Sequence, residues 1–121
     1  MGTVLFVCPH GAGKSRIAAA IFNALAAEGW SATTAGIEPQ DRPSLHAPRL
    51  LAGTPAADRL DPEPPRPVGA VAGAAPVVAI DCDVPGAIRW SLANQEFEPS
   101  MVDEITARVT ALAHDLGAAR G

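Results

Sequence analysis

Eight consecutive residues near the start of the chain, Cys8-Pro9-His10-Gly11-Ala12-Gly13-Lys14-Ser15, carry its densest chemistry. Cys8 supplies a thiol, a strong nucleophile once ionised. Gly11 and Gly13 permit a tight backbone path that turns successive N–H groups toward one point, the geometry needed to cradle a tetrahedral anion. Lys14 adds a full positive charge and Ser15 a hydroxyl beside the thiol. A loop of this kind that leads into a helix also gains the partial positive charge of the helix N-terminus, a field that favours the thiolate at Cys8. The expected phosphate-binding set is Pro9, His10, Gly11, Ala12, Gly13, Lys14 and Ser15, and the expected catalytic residues are Cys8, Lys14 and Ser15. Lys14 is the single lysine of a chain with eight arginines, which sets it apart from solvated surface charge.

The elements that must hold this loop can be read around it. Val4-Leu5-Phe6-Val7 is a continuous apolar run, as expected of a parallel strand buried on both faces, and it ends at Cys8. Ile17, Ile21, Ala24, Leu25 and Glu28 follow at helical spacing, with Gly29 placed to cap the helix C-terminus. Trp30 to Ala35 alternates like a second strand, closed by Gly36. Ser44 to Ala52 predicts a short helix restricted by Pro48, and Gly53 to Pro67, dense in Pro, Asp and Glu, predicts an extended and weakly ordered surface segment. Val68 to Ala74 predicts a short helix. Pro76 to Ile80 predicts a strand ending at Asp81, and Ala87 to Trp90 a last strand. In the closing helix Ser100 is the expected cap, Asp103 lies in the first turn, and Val102, Ile105, Val109, Leu112 and Leu116 form the apolar stripe. Strands separated by helices imply an α/β fold: one three-layer domain over residues 1–121, with a four- to five-stranded parallel sheet and helices on both faces. Ligands of such sheets bind beyond the carboxyl ends of the strands, where Cys8, Asp81 and the residues after Trp90 fall.

Global properties bound the function. No apolar run in the 121 residues approaches the ~20 needed to cross a bilayer, and the N-terminus reads as a strand, so a soluble cytoplasmic protein without membrane contact is expected. A net charge of −4 provides no basic surface for nucleic acid. Two cysteines, Cys8 and Cys82, suit neither a disulfide framework nor a zinc site, and no metal is expected. His10 is read as holding the loop shape, His46 and His114 as surface residues, and Trp30 and Trp90 as packing. The chain is expected to be a monomer or a homodimer.

The loop resembles that of the low-molecular-weight protein tyrosine phosphatases and the arsenate reductases that share their fold. Their signature is Cys, five residues, Arg, Ser. The reductase branch often reads Cys-x-His-Asn-Ala-Gly-Arg-Ser, against which Cys8, His10, Ala12, Gly13 and Ser15 match in register. Gly29-Trp30, Ala35 to Pro39, Val77 to Asp81 and Trp90-Ser91-Leu92 resemble further segments of that family. The resemblance implies a phosphatase I-like fold and Cys8-dependent hydrolysis of phosphomonoesters or thiol-dependent reduction of arsenate. The partners would be a small oxyanion or phosphomonoester and a small thiol reductant, and no cofactor is required.

Three departures bear on activity. Lys14 stands in place of the family arginine and cannot clamp two oxygens as a guanidinium does, while the neighbouring Arg16 points elsewhere on its helix. Asn94-Gln95 replaces the Asp-Pro pair that supplies the family's general acid, leaving Glu96 as the candidate substitute. Cys82 is the only further cysteine for redox relay, whereas a reductase using an external thiol needs only Cys8. A rival frame reads Gly13-Lys14-Ser15 as the end of a Walker A motif, with ATP and Mg²⁺ as ligands and Asp81 as the Mg-linked carboxylate. That frame lacks its first glycine, replaced by Cys8, and leaves the cysteine unexplained. A third reading keeps only the cradle, as a non-catalytic phosphate-binding protein.

Overall fold

A strand buried on both faces belongs in the middle of a parallel sheet, and Val4 to Val7 have at most 2% of their surface exposed. In the computed structural model, which describes residues 2–71 and 73–120, they lie in β1 (Gly2–Cys8), at the centre of a four-stranded sheet. β2 (Trp30–Gly36) pairs with β1 along its whole length, from Gly2 opposite Trp30 to Cys8 opposite Gly36. β3 (Val77–Ile80) pairs on the other side and β4 (Ile88–Trp90) forms the far edge, all parallel, in the order β2-β1-β3-β4. The carboxyl ends of β1, β2 and β3 thereby deliver Cys8, Gly36 and Asp81 to one rim.

The alternation of side chains along each strand separates two cores. On one face Val4, Phe6, Cys8, Val78 and Ile80 pack under α1 (Lys14–Leu25) and α3 (Pro99–Asp115), with the Phe6 ring 6.2 Å from Phe22 and 5.7 Å from Trp90. The buried stripe of α3 is Met101, Ile105, Val109 and Leu112, so Met101 takes the place expected of Val102, which is half-buried. α2 (His46–Leu51) and a 3₁₀ turn (Pro55–Arg59) lie against α1. On the other face Leu5, Val7 and Ala35 meet Val68, Val71, Ala74, Val77, Cys82 and Val84. This third layer is one 3₁₀ turn (Val68–Ala70) with the chain around it, rather than a helix of the expected Val68–Ala74 length; Ala72 lies outside the described residues, as do Met1 and Gly121.

Other boundaries also differ from the sequence expectation. α1 stops at Leu25 because Ala26 turns extended and bridges Ala119, so Gly29 (φ 91°) makes the turn into β2 instead of capping the helix. α3 begins at Pro99, whose missing N–H costs nothing at a first helical position; Glu98 is the N-cap residue and no side chain caps. Ser100 therefore lies inside the first turn, where its hydroxyl is 2.7 Å from Asn94 Nδ2. Pro48 is tolerated inside α2 because first-turn amides have no helical partner. The Gly53–Pro67 segment is more than an extended surface strip: Ala56 is buried, and Arg66 donates to Thr34 O at 3.0 Å while its own carbonyl accepts from Gly36 N at 2.9 Å. Open edge groups of β2 are satisfied in this way. Among the described residues no helix is long and apolar enough to cross a membrane.

Candidate active site

The loop between β1 and α1 has turned every carbonyl away from its centre. Those of Cys8, Pro9, His10 and Ala12 accept from the amides of Ile37 (3.3 Å), Glu38 (2.8 Å), Gln40 (3.1 Å) and Ser44 (2.8 Å). Gly11 O accepts from Arg16 Nε at 2.9 Å and Gly13 O from Ile17 N at 3.0 Å. A trans peptide that points its oxygen one way points its N–H the other. Accordingly, among the described residues no amide from His10 to Arg16 donates to a protein acceptor. Gly13 is the N-cap residue of α1, without a side-chain cap and without an acidic residue in the first turn, so the positive helix end is open to the same point. This array can hold a tetrahedral oxyanion.

Gly11 (φ 63°) is in the left-handed region, and a Cβ there would lie 2.7 Å from Gly36 N. Gly13 has φ −126° and needs no such freedom; its missing side chain instead admits Phe97, whose ring edge would be 2.7 Å from a Cβ. Above the loop opens a cavity of about 470 Å³, walled by Cys8, Pro9, His10, Ala12, Gly13 and Lys14 and by Gln40, Ser44, His46, Gln95 and Phe97 from three other segments. At its floor Cys8 Sγ lies 3.2 Å from Ser15 Oγ, thiol donating to hydroxyl. Once Cys8 is ionised the direction reverses, and Ser15 donates to the thiolate.

Lys14 reaches across to the end of β3. Its Nζ donates to Asp81 Oδ2 at 2.8 Å and to Gln95 Oε1 at 2.7 Å, leaving one of three N–H groups for the cavity. Asp81 adopts φ 54°, and its carboxylate also accepts from Leu92 N at 3.0 Å and Gln95 Nε2 at 3.2 Å. Burial pushes this carboxyl up, but the bonds from Lys14 and Leu92, the Lys14 charge and the Gln95 bond outweigh it and hold it below the usual 3.8. Asp61 is depressed in the same way, burial being outweighed by Arg66, the Glu63 amide and Arg16. Lowered carboxyls stabilise the fold above their unfolded value, and the contribution is lost as pH falls through the folded value. Stability is therefore expected to decline below about pH 4, less steeply in Asp81→Asn than in the parent. At pH 7 that variant should be weaker by about 2–3 kcal/mol, since the paired side chains are only 13% and 14% exposed. Thermal melts across pH check both.

The remaining candidates fall into place around this centre. His10 Nδ1 meets Glu38 O at 3.2 Å, a contact that ties the loop to the chain after β2. Glu96 is exposed and absent from the cavity wall, with its amide bonded to Asn94 Oδ1. Asn94 in turn holds Glu98 and Ser100. Alternate side chains of this loop part company, so Gln95 and Phe97 enter the wall where Glu96 was the candidate acid. Asp81 stands behind Lys14, and among the described residues no carboxylate lines the cavity. The exposed His46 stacks on Phe97 at 4.5 Å, so the residue read as plain surface forms part of the mouth. Gln40, Ser44, Gln95 and Phe97 had no motif to mark them. Cys82 packs with the core on the far face of the sheet from Cys8, and its Sγ is 3.6 Å from Val7 O. Burial and the Cys8 charge push its thiol up. The nucleotide frame finds no support, since Ser15 is fully buried on the thiol and Lys14 is committed to Asp81.

No family model and no curated protein matches the sequence. Among solved structures, the arsenate reductase of Archaeoglobus fulgidus is 30% identical, aligns over 92% of this chain and 98% of its own, and superposes with a TM-score of 0.74. The thioredoxin-dependent arsenate reductase of Corynebacterium glutamicum is 22% identical over 97% of this chain and 62% of its own, with a TM-score of 0.76. The low-molecular-weight protein tyrosine phosphatase of T. tengcongensis is 17% identical over 95% of this chain and 99% of its own, with a TM-score of 0.68.

Proposed function

Because the chain belongs to the family of low-molecular-weight protein tyrosine phosphatases and arsenate reductases, we propose that it reduces arsenate at Cys8 with electrons from an external small thiol. The observation that supports this reading is the run of amides from His10 to Arg16, directly after the cysteine, none of which donates to a protein acceptor among the described residues. Arsenate is held by these N–H groups and by the free donor of Lys14, which Asp81 and Gln95 orient. The Cys8 thiolate attacks arsenic, an S–As bond forms and an oxygen leaves as water after protonation. A second thiol then attacks Cys8 Sγ; the electron pair of the S–As bond passes to arsenic, arsenite departs, and Cys8 is left in a mixed disulfide that another thiol reduces. Ser15 supports the thiolate whenever it is regenerated.

Arsenate suits this cavity better than an alkyl phosphate because, among the described residues, no carboxylate lines it to take the part of the family's acid. Expelling an alkoxide needs a proton donor worth roughly a hundred- to ten-thousandfold in rate, whereas an arsenate oxygen leaves as water after taking its proton from solvent. The same cradle would hydrolyse phosphomonoesters weakly and only where the leaving group is good, as in aryl phosphates. A reduced external thiol is a cytoplasmic reagent, which supports a cytoplasmic setting for this reaction.

The test is a side-by-side assay of arsenate reduction with added thiol, aryl phosphate hydrolysis, and ATP hydrolysis with Mg²⁺. The first should dominate, and activity confined to ATP with Mg²⁺ would sink the proposal. Lys14→Arg should raise aryl phosphate kcat/KM about tenfold by restoring a two-point clamp. Lys14→Ala should weaken oxyanion binding by a similar factor.

A further inference from the structure

We propose that Arg16, which touches no substrate, is the positioning residue that locks the cradle: its buried guanidinium holds the Gly11–Ala12 peptide with the amide turned inward. The proposal rests on the reading of the loop as an oxyanion cradle and adds to it the part that keeps the cradle in shape.

Arg16 is only 1% exposed and heads the fully buried side chains by volume. It sits in the first turn of α1, where side chains lean toward the helix N-terminus, so it reaches back beneath the loop rather than into the cavity. Nε donates to Gly11 O at 2.9 Å and Nη1 to Asp61 O at 2.6 Å, while Nη2 is buried with no partner among the described residues. Burial pushes the guanidinium down from its usual value, and the Asp61 charge works against that shift. The 61–66 segment is itself fastened, since Asp61 pairs with Arg66 at 2.7 Å and Arg66 O accepts from Gly36 N at 2.9 Å. The loop is thus gripped from two sides by one segment, through Arg16 under Gly11 and through Gly36 against it.

Every other carbonyl of the loop is held by a backbone amide; that of Gly11 alone depends on a side chain. A peptide flanked by glycine rotates at little cost. Without Arg16 the Gly11 oxygen would be an unsatisfied buried acceptor, and rotating it toward the Lys14 side would place a negative dipole where the oxyanion must sit. The Ala12 amide would leave the cradle in the same movement.

The test combines inorganic phosphate titration, steady-state kinetics and melts on Arg16→Met and Arg16→Lys. In folded Arg16→Met, phosphate affinity should fall on the order of a hundredfold, the scale of a misplaced positioning group. Arg16→Lys, which keeps one donor and the charge, should recover part of that loss. A lowered melting temperature with unchanged phosphate affinity would overturn the proposal, because it is the result of a merely structural role. In the unmutated chain, the Arg16 Nε–H resonance should exchange slowly and shift when phosphate is added. A fast-exchanging, unresponsive resonance overturns the proposal even if no variant folds. If the unmutated chain binds no phosphate, the cradle reading itself falls; binding that ignores Arg16 removes only this role.

Discussion

Cys8→Ser is expected to lower arsenate reduction and aryl phosphate hydrolysis by on the order of 10⁴-fold or more while leaving phosphate affinity unchanged or slightly tighter. Rate and affinity separate because they rest on different atoms. Turnover needs a bond from Sγ, and a serine hydroxyl at the same place is a far weaker nucleophile at neutral pH than a thiol. Binding rests on the amides from His10 to Arg16, and carbonyl contacts to Glu38, Gln40, Arg16, Ser44 and Ile17 set the direction of those from His10 to Lys14. None of those contacts involves the thiol. Stopped turnover with calorimetric phosphate binding is the expected pair of results. Full activity in Cys8→Ser would refute the nucleophile. A parent chain that binds phosphate without turning over either substrate would leave the protein as an oxyanion binder.

Much of this centre was legible because its residues are neighbours in sequence. The spacing from Cys8 to Ser15, the apolar run before it and the helical period after it place thiol, glycines and hydroxyl in one loop whatever the rest of the chain does. What spacing does not carry is the destination of long side chains. Arg16 was visible as pointing away from the cavity, but its partner Asp61 is 45 residues distant, inside a segment whose prolines suggested plain surface. Likewise the apolar run before Asp81 puts it at the strand-end rim, while its pairing with Lys14 depends on side chains that meet 67 residues apart. Gln95 and Phe97 follow a loop whose alternation only tertiary packing fixes, so the sequence alone does not tell them from Glu96 between them. The helix ends shifted for a related reason: Ala26 leaves α1 to bridge Ala119, a contact between distant parts of the chain that no local period encodes.

Gly36→Ala should be the most damaging small substitution outside the catalytic loop. In sequence Gly36 only closes a strand; in the fold it faces the loop backbone at the point where β2 ends beside Cys8. A Cβ there would lie 2.5 Å from Gly11 N, 2.5 Å from His10 C and 2.8 Å from His10 O. All three atoms are backbone, so relief must come from displacing the loop or the end of the strand. A cost of about 3 kcal/mol is expected. For a domain of this size that lowers the melting temperature by roughly 10–15 °C. Gly69→Ala is the matched control: beyond its chain neighbours, no atom of the described residues lies within 4 Å of a Cβ built there, and it should change stability by less than about 0.5 kcal/mol. Melts with and without phosphate distinguish damage to the cradle from damage to the core. A ligand that binds only the folded state raises the melting temperature, and that rise should persist in Gly69→Ala. In Gly36→Ala it should vanish, because the atoms driven away are the His10 carbonyl and the Gly11 amide on which the inward turn of the loop depends. A destabilised Gly36→Ala that kept the full phosphate-induced rise would show that the close approach serves packing alone.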